Sequence, residues 1–155
     1  MNSNLTRSNR KKSLATPRPS APDIVFEISQ VVGKKAVGVI KWAKMELSSP
    51  AISGPGGKGF LPNGFYAAKR GKLLQKPPGT AYCDIASTPN CWMQTLDPLF
   101  STDRTDLGIH PDGGVAGTAG CIGLQVQDSA DWFSAFKSVP GGGASLVLVR
   151  RATRR

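Results

Sequence analysis

The stretch LGIHPDGGVAGTAGCIGLQ, Leu107 to Gln125, decides how this chain folds. Two short apolar runs, LGIH and GCIGLQV, bracket a loop rich in glycine. Apolar runs bounded by turn residues read as strands. His110, the only histidine in the chain, closes the first run, and Cys121, eleven positions on, opens the second. If the two runs are adjacent strands, both side chains meet at one rim of a sheet.

Strand signals continue on either side of this stretch. IVFEISQ alternates apolar and polar residues, and KAVGVIKWAKMEL supplies one or two more strands. SSPAISGPGGKGFLPNG is so rich in turn residues that it reads as a loop, and GFYAAKRGKLL returns to strand character. TAYCDIASTPNCWMQTL is ambiguous, with a short strand expected around Trp92–Leu96 and both of those residues partly buried. DPLFSTDRTD reads as a loop. SADWFSAFKSV spaces Trp132, Phe133 and Phe136 for one helical face, with Ser129 as N-cap and Pro140 and Gly141–Gly143 as the stop. ASLVLVRR is a closing strand. The pattern predicts a mainly β domain with one C-terminal helix.

The length of 155 residues suits one domain with one core. Charge divides it further. Of the net +10, residues 1–20 hold Arg7, Arg10, Lys11, Lys12 and Arg18 with no acid, and the C-terminus holds Arg150, Arg151, Arg154 and Arg155. The remaining body is nearly balanced. The expected organisation is a basic disordered arm over 1–22, a folded domain over 23–150 and a basic tail over 151–155. Basic ends suit a polyanion such as an anionic envelope polymer, or simply solubilise the chain. Few aromatics lie near the basic runs, so specific nucleic-acid binding is not expected. No apolar run approaches the roughly 20 residues of a membrane span. MNSNLTRSNRKKSLATPRPSAP lacks the apolar segment of a secretory signal peptide.

Cysteine is a nucleophile only as its thiolate, and a neighbouring imidazole can take its proton. Backbone N–H groups of Ala119, Gly120 and Cys121 can face a developing oxyanion, and Thr118 can bond within the loop or to substrate. The plainer alternative makes His110 a turn cap and Cys121 a small buried hydrophobe. Cys83 and Cys91 either pair, closing a short loop, or remain as buried thiols. One histidine and no closely spaced cysteine pair build no convincing zinc site, and GPGGKG lacks the P-loop spacing, so neither metal nor cofactor is expected.

These residues resemble a family. IHPDGGVAGTAGCIGL is similar to the active-site signature of L,D-transpeptidase-like proteins, in which a histidine after a strand precedes a Ser/Thr-x-Gly-Cys-Ile/Val element. Upstream, ISGPGGKGFLPNGFYAA resembles the family's earlier segment, and WMQTLDPLFSTDRTDLGIH resembles the stretch ahead of the histidine in short variants from phage lysins and secreted antibacterial effectors. The pieces occur in the family's order and cover about Ser49 to Val126. Three positions depart from the family, and the His-to-Cys spacing is short for it: Thr118-Ala119 stands where many members carry Ser-His, and Gly123 replaces an arginine.

The resemblance implies a β-sandwich or barrel-like domain acting on peptidoglycan stem peptides. Cys121 would be the nucleophile, His110 its base, and Gly120 with the Cys121 N–H part of the oxyanion site. The histidine's orienting partner would be a backbone carbonyl or a polar side chain, for which Asp112 is a candidate. Arg104 would pair with a substrate carboxylate, its alternative being an ion pair with Asp103 or Asp106. An enzyme made in the cytoplasm without a signal peptide would reach the periplasm or cell wall by holin-type release or contact-dependent secretion, as a phage lysis enzyme or injected effector. The rival from another class is a non-enzymatic module that binds envelope polymer or nucleic acid through its basic ends.

Overall fold

A computed structural model of the chain describes residues 21–75, 80–84, 90–113 and 116–153. Residues 1–20 of the expected arm and 154–155 of the expected tail lie outside them. Ten strands follow in order: β1 (Ile24–Val32), β2 (Lys35–Trp42), β3 (Leu47–Ser53), β4 (Gly64–Lys69), β5 (Leu73–Gln75), β6 (Trp92–Thr95), β7 (Asp97–Pro98), β8 (Gly108–Pro111), β9 (Ile122–Leu124) and β10 (Ala144–Arg151). Among the described residues one α-helix, α1 (Ala130–Ser138), precedes β10. The mainly β reading with one C-terminal helix is therefore what forms. The tail boundary shifts slightly, because Arg151 is still in β10, paired with Ile28.

All ten strands belong to one sheet, ordered β5-β6-β8-β9-β3-β2-β1-β10-β4-β7. Connectivity forces this sheet to curl. β6 lies next to one edge and β7 forms the other edge, yet only Leu96 separates them in sequence. The short turn Arg70–Lys72 likewise joins β4, near one edge, to β5 at the opposite edge. A chain advances at most about 3.6 Å per residue, so the two edges must come round to one another. Gln94 bridges them, its Nε2 donating to the Lys69 carbonyl at 2.9 Å.

Inside the curl the strands alternate as period two requires. Ile24, Phe26 and Ile28 of β1, Ile40 and Trp42 of β2, Tyr66 and Ala68 of β4, and Val147 and Val149 of β10 are all buried. β3 differs from the loop expected over SSPAIS. Ser49, Ala51 and Ser53 face inward and are buried, where small side chains suit a strand crossing the crowded middle of the sheet. Neighbours on both sides, β2 and β9, supply the pairing that local composition did not announce.

The helix closes one end of the curl through aromatic contacts. Trp42 and Phe136 lie with ring centroids 5.0 Å apart, and Trp92 stacks on Phe133 at 5.7 Å. Trp92 and Leu96 were expected to be partly buried; instead they are 0% and 2% exposed, because the helix covers the former and the closing curl the latter. Ser129 holds the N-cap position without capping the helix by its side chain. Its hydroxyl accepts from Trp92 Nε1 at 2.8 Å instead, and its N–H donates to the Asp84 carboxylate. Asp128 takes over part of the cap by accepting from the Ala130 N–H. The helix, β6 and the segment around Asp84 are thus one polar-pinned aromatic unit.

Trp92→Ala is expected to remove about 3–5 kcal/mol of stability. Trp92→Phe should cost less while leaving Ser129 without its donor. Urea unfolding followed by circular dichroism checks both values.

Candidate active site

The glycine-rich stretch is a crossover between two parallel neighbours. β8 and β9 pair with Ile109 opposite Ile122, His110 opposite Gly123 and Pro111 opposite Leu124. Parallel strands cannot be joined by a tight hairpin, so a connection of the length of residues 112–121 is what this pairing needs. Side chains two apart on a strand share a face. In this register His110 lies on the face that carries Cys121 and Gly123. His110 and Cys121 border one open cleft of about 660 Å³, lined also by Pro55, Tyr82, Asp106 and Thr118.

Three sets of bonds hold the cysteine loop. The Thr118 hydroxyl donates to the Cys121 carbonyl and accepts from the N–H groups of Gly54 and Gly120 at 3.1 and 3.2 Å. Backbone bonds Thr118 N–H to Gly54 O and Gly56 N–H to Thr118 O, both 2.9 Å, zip the loop to residues 54–56. Buried Ser53 donates to the Gly120 carbonyl at 3.1 Å and accepts from the Leu61 N–H. Of the two roles open to Thr118, bonding within the loop is the one its atoms take up. Gly120 sits at φ 129°, and a Cβ there would run into Arg104, so glycine is required. Its N–H serves Thr118 in this resting arrangement rather than facing the cleft.

Arg104 does not form the ion pair with Asp103 or Asp106 that was its plainer reading. Its guanidinium donates to the carbonyls of Phe60 at 3.2 Å and Gly59 at 2.7 Å. Asp103 is paired instead with Lys58. Arg104 is therefore a clamp between the 59–60 turn and the cysteine loop, with its fork already filled by two carbonyls.

Asp112 does not orient the histidine. Its Oδ2 accepts from the Gly117 N–H at 2.8 Å and from Gln125 Nε2 at 2.6 Å. The carboxylate also lies over Gly123, where any Cβ would collide with it. That packing is the reason glycine stands at 123. The orienting partner is a backbone carbonyl: His110 Nδ1 lies 2.6 Å from Pro111 O. A carbonyl brings no proton, so Nδ1 carries the hydrogen and Nε2 is left with the lone pair.

Tyr82 was missed in the sequence. Its ring meets the imidazole edge-on, with centroids 4.8 Å apart. The neighbouring Cys83 forms a disulfide with Cys91, which resolves that pairing and ties the Tyr82 segment to the start of β6. No periodic signal marks Tyr82, because it lies in a short turn between ambiguous segments.

The electrostatics describe a neutral resting pair. Cys121 is the free cysteine, only 8% exposed, and burial pushes its thiol up to about 11. The Gly108 backbone and the Arg104 charge pull it down, while the charge of Asp106 pushes it further up. Sγ donates to the Asp106 carbonyl at 3.4 Å. Burial holds the His110 imidazole below its ordinary value, against the upward pull of the Pro111 carbonyl and the Asp112 charge. At neutral pH the site thus holds a thiol and an uncharged imidazole, not a preformed ion pair. Among the described residues no cluster of three potential metal ligands occurs.

No protein-family model matches the chain, and neither a curated protein nor a solved structure matches it.

Two outcomes follow from this geometry. Alkylation of Cys121 by iodoacetamide should keep rising from pH 7 towards 11 without a plateau near 9. At pH 8 it should run tens of times slower in the native protein than in urea; stopped-time mass spectrometry reads both. Thr118→Val should lower stability by about 1–3 kcal/mol through unsatisfied loop groups, with Thr118→Ser close to wild type; thermal denaturation compares the two.

Proposed function

We propose that the chain is a peptidoglycan-acting cysteine enzyme of the L,D-transpeptidase type, attacking stem-peptide bonds between an L-centre and a D-residue. One observation carries the reading: Cys121 and His110 border the same cleft from adjacent parallel strands, with the histidine tautomer fixed by a carbonyl. The curled sheet with its helix is read as the barrel-like domain that the resemblance implies.

The chemistry follows from the protonation states. As the substrate carbonyl enters, His110 Nε2 takes the Sγ proton while Sγ bonds to the carbonyl carbon. The carbonyl oxygen becomes an oxyanion that the Cys121 N–H helps to stabilise, and that of Gly120 does so if it turns from Thr118. The carbon–nitrogen bond breaks, and the imidazolium gives its proton to the leaving amine. A thioester on Cys121 remains. Attack by a second stem's amino group yields a cross-link; attack by water yields a shortened stem. In either case His110 accepts the incoming proton and returns it to the thiolate. General-base assistance during attack is needed because the resting thiol is so weakly acidic.

The Cys83–Cys91 disulfide supports action in the periplasm or cell wall, where disulfides persist. Among the described residues no helix is long and apolar enough to cross a membrane.

Purified muropeptides incubated with wild type, Cys121→Ala and His110→Ala test the proposal by mass spectrometry. Wild type should produce tripeptide stems or cross-linked dimers, and each variant should lose about 10³-fold or more of that activity. Unchanged muropeptides with folded wild type would turn the reading to a non-enzymatic module.

A further inference from the structure

Among the described residues lining the cleft, one charged side chain has no committed partner. Nearby charges are already engaged, Asp103 by Lys58 and Arg104 by two carbonyls. Asp112 is held by Gly117 and Gln125. Asp106 borders the cleft beside Cys121, is exposed, and among the described residues has no basic side chain paired with it. Its carboxylate receives only a long 3.5 Å contact from the neighbouring Thr105 hydroxyl. The backbone at Asp106 is left-handed, φ 56°, a conformation in which asparagine and aspartate are over-represented. Its carbonyl is the acceptor of the Cys121 Sγ–H bond, so the Asp106 backbone is set directly beside the thiol.

We infer that Asp106 is a specificity-determining residue that receives a primary ammonium group of the substrate beside Cys121. The inference rests on the cysteine-enzyme reading and names what the cleft selects. A carboxylate beside a nucleophile that must become anionic opposes catalysis on its own. A docked ammonium cancels that opposition, so binding of the cationic group and activation of the thiol are coupled. The same cation brings its own attraction into a cleft whose lining is otherwise uncharged at neutral pH. In a stem peptide the group is the side-chain ammonium of a diamino acid on the acyl donor; the acceptor's reacting amine must be unprotonated to attack and is not the docked group.

Charged thiol reagents test the subsite without requiring turnover. Each methanethiosulfonate transfers its thiol group to Cys121, forming a mixed disulfide and releasing methanesulfinate. Rates for the 2-aminoethyl reagent and the neutral 2-hydroxyethyl reagent are normalised to their rates with a free small-molecule thiol. Wild type should prefer the cationic reagent by about five- to tenfold at low salt, against the chain's net charge of +10. Asp106→Asn, which suits the same backbone conformation, should bring that ratio to about one or below. Equal ratios in the two proteins overturn the subsite. Donor peptides with the side-chain amine free or acetylated then read hydrolysis, and an added amine reads transfer. Wild type should favour the free-amine donor at the hydrolysis step, and Asp106→Asn should lose that preference. A wild type that turns over free and acetylated donor peptides equally overturns the inference and leaves the cysteine enzyme standing. Reagent preference with no turnover of any peptide removes the proposed reaction instead.

Discussion

Everything at the site depends on the parallel pairing of β8 with β9. That register sets His110 opposite Gly123 and places Cys121 on the same face. A slip of one residue would turn Cys121 to the other side of the sheet. Three separate pieces of the molecule defend the register. Ser53 and Thr118 anchor the crossover to the end of β3 and the turn behind it, Arg104 ties that turn to the loop, and Asp112 fastens the loop to Gln125 just past β9. Most of the polar side chains of this region thus serve to hold the loop. Very few are left for the cleft.

This arrangement explains the restrained electrostatics. The loop is packed closely enough to bury the nucleophile, and burial disfavours charge on both the thiol and the imidazole. A resting ion pair would need a solvated or strongly cationic setting, and Arg104, the nearby cation, is turned to carbonyls. The buried, uncharged pair leaves Cys121 a weakly reactive thiol at neutral pH.

Local pattern was enough for much of this. The alternation of Ile24, Phe26 and Ile28 announces β1, and the spacing of Trp132, Phe133 and Phe136 announces α1. The His110–Cys121 stretch was legible as two strands and a crossover because apolar runs and glycines sit where such a unit needs them. What escaped is non-local. β3 is built of small residues and a proline whose strand character comes from β2 and β9. The ion pair read for Arg104 and the His110 contact read for Asp112 went instead to backbone carbonyls and amides, which a sequence does not display. The capping role expected of Ser129 was lost to Trp92, 37 positions away. Tyr82 reached His110 through a pairing of Cys83 and Cys91 that spacing alone left open.

The central claim is that Cys121 carries the acyl group during turnover. Intact-protein mass spectrometry after rapid acid quench of enzyme with a tetrapeptide stem tests it most directly. The account predicts an adduct of the acyl fragment's mass, mapped by proteolysis to the peptide that contains Cys121 and absent from Cys121→Ala. Products formed by Cys121→Ala, or an adduct mapped to any other residue, would contradict it.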